Sequence, residues 1–592
     1  MNNHFRNMIA LVLCAIMVLS SCGIETIVDV TNNAAASEYN LTKIAYVPLD
    51  NRPCNNDRMI LAAKAAGFEF LIPDEDLFAT VFDGQPKNSN GTQYGDRKAL
   101  IDWVWAQDKA GCDYYIISFD QIMSGGLVQS RIMNNTDLTE EYAIIDSLTE
   151  LAKTNRVIIL STIMRLASCT PGYNGDTIDE YDVMYQYSLV ARPALSGSEL
   201  TIDNIVNNFK NKSDGTKITA NDLSAYGGNL TDDIIDSVVS VHERKLRMLY
   251  NMIQEGTNDN LYYYIGIDDA SNNGSIQTSE IALIKSAISD NATVFAGTDE
   301  LAIMALAKLN SEKYSAATTA NVFYYGGREN DIADYFDVNT LKENLVYHLS
   351  SAGCTVVSDS SGKVDILILT QPLRSDEKSQ YITDLINKAI YNTENNIPTI
   401  IIDSSTGTND GSQEFGLSLV SKVNMAEIIG YSNWNTAGNR IGFAVGFGLA
   451  RYYYLKNEVN PTASVSEGFL EYTTFQYIKD LAYCCTGRNY MSNYVSNYGS
   501  SSNFYASVTD SQIITINNAL EKAVMDGTGG ASGTNVIANL NSGTYISSLY
   551  DKYTEVSVKS FGEISVSDFN FPCYRTFEMT FDVNVVLNGV LR

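Results

Sequence analysis

Histidine is almost missing from this chain, with three residues in 592, and only His242 and His348 lie beyond the N-terminal segment. Neither sits in an H-x-x-x-H or H-x-x-E-H frame. Histidine-rich zinc chemistry therefore has no ligand set, and a Ser-His-Asp triad would have to draw on one of these two. Cysteine is sparse and scattered: beyond Cys22 come Cys54, Cys112, Cys169, Cys354, Cys484, Cys485 and Cys573. An odd set without C-x-x-C spacing argues against a disulfide framework or a zinc knot and for small buried apolar side chains. Positive charge is also short. Against 69 Asp and Glu stand 40 Lys and Arg, a formal charge of −29, so nucleic acid and anionic membrane surfaces are repelled. No apolar run approaches the roughly 20 residues that a membrane-spanning helix needs.

The first residues have the layout of an export signal: Arg6, an apolar run from Met8 to Leu19, then Leu19-Ser20-Ser21-Cys22-Gly23. Small residues before a cysteine suit cleavage ahead of a lipidated thiol. The expectation is an exported protein, held by a lipid on Cys22 at the extracytoplasmic face of a bacterial membrane. Residues 1–22 are then signal and anchor, and residues 23–41, rich in Thr, Asn, Ala and Ser, a tether.

Short apolar runs followed by helix-like periodicity recur along the rest, which points to parallel strands with crossover helices. The clearest are Lys43–Leu49, Tyr114–Phe119, Val157–Ile163, Leu261–Ile267, Thr293–Ala296, Val322–Tyr325, Val364–Leu369 and Thr399–Ile402. Continuous hydrophobicity suits strands covered on both faces. The predicted fold is α/β: two Rossmann-like parallel-sheet units with crossover helices, over residues 42–318 and 319–460. A mixed helical and β region at residues 461–592 packs on them, with strand-like runs at Glu555–Val558 and Phe577–Leu587. A polar stretch, Asn207–Asn229, reads as an insertion ahead of a helix over Ile234–Gln254. There is no fixed-period repeat.

In open parallel α/β folds the carboxyl ends of the strands face the ligand crevice. Here the strands exit into Asp50-Asn51-Arg52-Pro53, Asp120-Gln121, Met164-Arg165, Asp268-Asp269-Ala270-Ser271, Gly297-Thr298-Asp299-Glu300 and Asp403-Ser404-Ser405. Such carboxylates can cap the next helix, work as an acid and its ionised partner on a glycosidic bond, or hold a hard cation. The doublets Asp268-Asp269 and Asp299-Glu300 exceed what capping uses, since one member of each pair can cap. After the second strand comes Ser124-Gly125-Gly126-Leu127-Val128-Gln129-Ser130-Arg131, a turn without the Lys-Ser/Thr ending of a phosphate loop. Further on, Trp434-Asn435-Thr436-Ala437-Gly438-Asn439 joins an indole to amides, a combination suited to sugar hydroxyls and ring faces. The spacing Gly438, Gly442, Gly446 suggests a closely packed helix.

With Tyr46–Pro53, Gly125–Arg131, Ile163–Arg165, Asp268–Ala270, Gly297–Glu300, Trp434–Asn439 and Arg575-Thr576-Phe577-Glu578 in this order, the chain resembles the large bacterial family known as domain of unknown function 4127. The resemblance runs from about residue 43 onward. It implies one architecture throughout rather than a fusion of unrelated modules, and it carries no settled activity.

The leading expectation is an extracytoplasmic glycan-acting hydrolase of the glycoside hydrolase kind. Asp269 and Glu300 are the expected acid and nucleophile or base, supported by Asp268 and Asp299. Asp50, Asn51, Arg52, Ser130, Arg131, Arg165, Asp403, Trp434, Asn435, Asn439, Arg575 and Glu578 are expected to bind a carbohydrate or polyol. No cofactor is expected, and a bound Mg²⁺ or Ca²⁺ is the alternative use of the same carboxylates. Two competing readings are a sugar- or polyol-binding lipoprotein without catalysis and a metal-dependent esterase or phosphoesterase.

Overall fold

The computed structural model describes residues 41–78, 88–92, 94–168, 178–226, 229–271, 274–333, 337–406, 411–459, 462–498, 508–546, 555–557 and 562–587. Cys22 and Cys169 lie outside them. The first sheet has six parallel strands, β1 (Thr42–Val47), β2 (Phe68–Leu71), β3 (Tyr114–Ser118), β4 (Arg156–Ile163), β5 (Leu261–Ile267) and β6 (Ala292–Ala296), in the order β2-β1-β3-β4-β5-β6. The second has five, β7 (Thr318–Tyr325), β8 (Cys354–Val356), β9 (Val364–Thr370), β10 (Thr399–Ser404) and β11 (Ile428–Ser432), in the order β11-β10-β9-β7-β8. Each sheet thus starts with its first strand between the second and third, which puts a topological switch between β1 and β3 and between β7 and β9.

Alternate residues of the first sheet enter two different cores, as the period of two requires. Ala45, Val47, Tyr115, Ile117, Val157, Ile159, Tyr263 and Ile265 face one core, which includes Val238, Leu246, Leu249 and Met252 of helix Asp232–Glu255. Ile44, Tyr46, Ile116, Ile158, Leu160, Tyr262 and Tyr264 face the other. That second core runs on without a break through helices Leu301–Lys313 and Ala437–Asn457 into Ile366, Ile368, Ile400 and Ile402 of the second sheet. The strand set changes at Thr318, but the two sheets share one apolar interior.

The glycines of helix Ala437–Asn457 explain how the layers come so close. A Cβ on Gly438 would stand 2.1 Å from the Ala296 carbonyl oxygen, and one on Gly442 would stand 2.0 Å from Glu300 Cγ. On the opposite side a Cβ on Gly448 would lie 2.6 Å from Ile400. The helix is therefore clasped between β6 and its following helix on one side and the second sheet on the other.

Within the two parallel sheets the sequence pattern does not show three strands: β2, β8 and β11. All three are sheet edges. Edge strands are short and carry exposed or polar positions, which hides the apolar signal; Glu69 of β2 and Thr355 of β8 are exposed. The run expected as a strand over Phe577–Leu587 begins at Thr580, and it pairs antiparallel with Gly562–Asn570, which the sequence reading omits. The polar stretch after Asn207 holds an isolated bridge between Asn211 and Lys217 and a short turn of helix, Ala220–Tyr226. Helix Asp232–Glu255 follows, its start fixed by Thr231, whose hydroxyl accepts from the Ile234 N–H.

Candidate active site

The carboxyl ends of β1, β4, β5 and β6 bring together arginines and carboxylates in alternation. Arg52, just past β1, is the hub. Its Nε donates to Asp50 Oδ2 at 2.8 Å, and its Nη2 and Nη1 donate to the two oxygens of Asp299, past β6, at 2.5 and 3.4 Å. Asn55 Nδ2 ties the same two carboxylates, reaching Asp50 Oδ1 at 2.9 Å and Asp299 Oδ1 at 3.3 Å. Glu578 closes this group from the C-terminal region, with Oε1 3.9 Å from Arg52 Nη1 and Oε2 accepting from the Cys54 N–H at 3.2 Å. Asn51 is half-buried beside them, its Oδ1 without a hydrogen-bond partner.

A second group sits over β4 and β5. Gly125 and Gly126 have φ of 76° and 138°, values that an L side chain rarely adopts, and the turn they make aims Arg131 at the next strand. Arg131 Nε and Nη2 both donate to Asp268 Oδ2, at 3.0 and 2.7 Å. Arg165, past β4, pairs with Asp269 and donates to Tyr181 Oη at 3.1 Å. Beneath them Lys245 Nζ pairs with Asp120 Oδ1 at 2.9 Å and donates to Ser130 Oγ and Thr162 Oγ1. Arg575 lies within the field of both Arg52 and Arg165, which joins the two groups at one locus.

The adjacent carboxylates of β5 are driven apart electrostatically. Burial opposes ionisation of Asp268, but the charges of Arg131, Arg165 and Lys245 outweigh it and hold its pKa below the ordinary carboxylate value. Burial pushes Asp269 the other way; Arg165 pulls back, Asp268 adds to the push, and the outcome is a raised pKa. Asp269 also sits at φ 26°, a strained backbone for a non-glycine residue, and keeps 24% of its side-chain surface open. Such a split between neighbours is the usual arrangement of an acid beside an ionised partner.

Other expected site residues lie elsewhere. Glu300 is 0% exposed: Asn439 Nδ2 donates to its Oε2 at 2.5 Å, His348 Nε2 is 3.4 Å from Oε1, and a Cβ on Gly297 would stand 1.7 Å from that oxygen. It fills a slot left by two glycines and does not meet solvent, so the expected catalytic role of Glu300 and sugar-binding role of Asn439 are corrected to internal packing. Trp434 is likewise 0% exposed, its ring against Phe443 and Phe577, which removes it as a sugar platform. Asn435, at φ 64°, donates to Asn439 Oδ1 at 2.9 Å and shapes the entry to the helix. Asp403 accepts from the N–H groups of Ser405 and Ser412 and from the Ser405 hydroxyl, so it closes a loop rather than facing a crevice. Ser130 is buried, its hydroxyl donating to the Leu127 carbonyl at 2.6 Å.

Asn55, Tyr181, Lys245 and Lys479 join the site without having been picked out from the sequence. Asn55 lies five residues past Asp50, close enough to a charged motif to be a candidate; the other three sit on helices with no local sign. Among the described residues no three His, Cys, Asp or Glu side chains gather so as to hold a metal ion; the carboxylates are interleaved with guanidinium groups instead. The six described thiols are unpaired by disulfides, with all but half-buried Cys485 buried. A separate groove of about 730 Å³ lies between helices Arg97–Lys109 and Thr139–Leu151, lined by Tyr94, Arg97, Ile101, Glu140 and Ile144; Arg52, Arg131, Arg165 and their carboxylates do not line it.

No curated protein and no solved structure matches the chain. The family described as "Protein of unknown function (DUF4127)" matches over residues 44–582, from β1 through to the last strand, and the chain belongs to that family.

Proposed function

We propose that the protein is a glycan-acting hydrolase in which Asp269 protonates the leaving oxygen of a glycosidic bond and Asp299, held by Arg52 and Asn55, is the partner that attacks the anomeric carbon or takes the proton of the attacking water. The observation that carries the reading is Asp269: partly open to solvent, strained, raised in pKa and set beside an arginine-neutralised carboxylate. An acid that must keep its proton to work needs such an environment. Arg52 and Arg165 then hold the two carboxylates in place around the bond. Asp299 replaces Glu300 in the pair, because Glu300 turns inward into the slot at Gly297 and Gly442 while Asp299 faces Arg52 beside the other strand ends.

The test is a panel of labelled glycans incubated with the full chain, scored for new reducing ends and for retained ligand. New reducing ends that vanish with Asp269→Asn support the proposal. Stoichiometric retention with no cleavage across the panel overturns it in favour of capture, and cleavage that a chelator stops overturns it in favour of metal-assisted chemistry.

We also propose export and lipid anchoring through Cys22, on the layout of the first residues. No helix among the described residues is long and apolar enough to cross a membrane. In a bacterial host, radiolabelled palmitate is expected on the wild-type chain and not on Cys22→Ala; label on both rules the anchor out.

A further inference from the structure

Around the crevice most cations have a carboxylate of their own. Arg52 takes Asp50 and Asp299, Arg131 takes Asp268, and Arg165 takes Asp269. At the edge formed by the C-terminal region the balance reverses. Lys479, Arg488 and Arg575 all lean on the single charge of Glu578. Glu578 is itself engaged: Lys479 Nζ and Arg52 Nη1 each stand 3.9 Å away, and the Cys54 N–H donates to it.

Arg575 is the cation left over. Among the described residues it makes no hydrogen bond and no ion pair; its contact is with the ring of Phe577 at 4.8 Å, whose ring Arg488 shares at 5.0 Å. Two guanidinium groups on one ring repel each other, and Arg52 and Arg165 add to that repulsion. The surroundings reflect it. Burial and then the charge of Arg52 lower the Arg575 pKa, and burial brings Arg488 down to about 10. In a chain of formal charge −29, a half-buried arginine with no ion pair of its own, in the field of Arg165 whose partner Asp269 is partly open to solvent, marks a place that a negative group completes. The planar guanidinium fork matches an oxyanion through two parallel hydrogen bonds.

We infer that the ligand is an acidic sugar, its carboxylate or sulfate docking on Arg575 while its hydroxyls meet Asp269. This rests on the glycan reading above. It makes the specificity electrostatic: neutral sugars lack the group that the Arg575 edge needs.

The test is thermal unfolding of the full chain at constant ionic strength with glucuronate, glucose 6-sulfate or glucose. Either acidic sugar is expected to raise Tm saturably by a few degrees and glucose is not; a response to one acid alone names the oxyanion. Arg575→Gln is expected to abolish the rise, and Arg575→Lys, which keeps the charge without the fork, to weaken it at least several-fold in concentration. If the Gln variant does not fold, the Lys variant decides. No saturable rise with either acid, or an unchanged rise in the folded variants, overturns the inference. The wild-type chain separates it from the hydrolase reading: an acid-dependent rise with no glycan of the panel cleaved leaves this inference standing and sinks that one. Cleavage of neutral glycans that Arg575→Gln does not alter does the reverse.

Discussion

Replacing Asp269 with asparagine is expected to lower turnover of a cleaved glycan by about 10²–10⁴-fold, the usual worth of a positioned acid, while the chain still folds. The amide keeps the shape, so Arg165 and the strained backbone remain in place, but it has no acidic proton. The pH profile gives a sharper check. Turnover holds where Asp269 is protonated and falls as pH rises through its raised pKa. Arg165 pulls that pKa down, so Arg165→Gln should move the alkaline limb to higher pH. Stability should follow the same group with a definite sign. The folded state keeps a proton that the unfolded chain releases near about pH 4, so between that value and the raised one stability declines as pH climbs. Asparagine removes that slope. An unchanged profile in the Arg165 variant would put the acid elsewhere.

The second large effect concerns Arg58 and Asp480. Both side chains are fully buried, with Nη2 donating to Oδ2 at 3.1 Å, and the guanidinium lies 4.0 Å over the ring of Phe443. Asp480 belongs to Ile478–Gly487, where the helix widens to i→i+5 hydrogen bonding, and its Oδ2 also accepts from Ser432 at the end of β11. Arg58→Met leaves a carboxylate in an apolar interior, and breaking such a pair costs about 3–5 kcal/mol. The drop is expected in the urea unfolding midpoint. Arg58→Met with Asp480→Asn should recover part of it, because the stranded charge is gone. A single variant as stable as wild type, or a double variant worse by the full sum, contradicts this account.

The arginines and carboxylates of the crevice are legible because chemistry and position coincide: Asp50, Arg52, Arg165, Asp268, Asp269 and Asp299 all stand within a few residues of a strand's carboxyl end. What the sequence does not carry is the direction of each side chain. Asp299 and Glu300 are consecutive, yet one meets Arg52 and the other turns inward, because Gly297 and Gly442 leave a slot that only the Glu300 side chain fills. Trp434 among amides looks like a sugar platform until Phe443 and Phe577, far apart in the chain, cover it. Lys479 and Arg58 give no sign at all, since burial of a cation depends on partners that only the tertiary fold supplies.

The link between Glu578 and the Cys54 N–H ties together segments more than five hundred residues apart. During synthesis the β1 loop therefore emerges long before the group that closes it. Arg52 waits for its last neighbour until nearly the whole polypeptide has followed, so a chain cut short of Glu578 leaves the ring of charges around Arg52 unfinished.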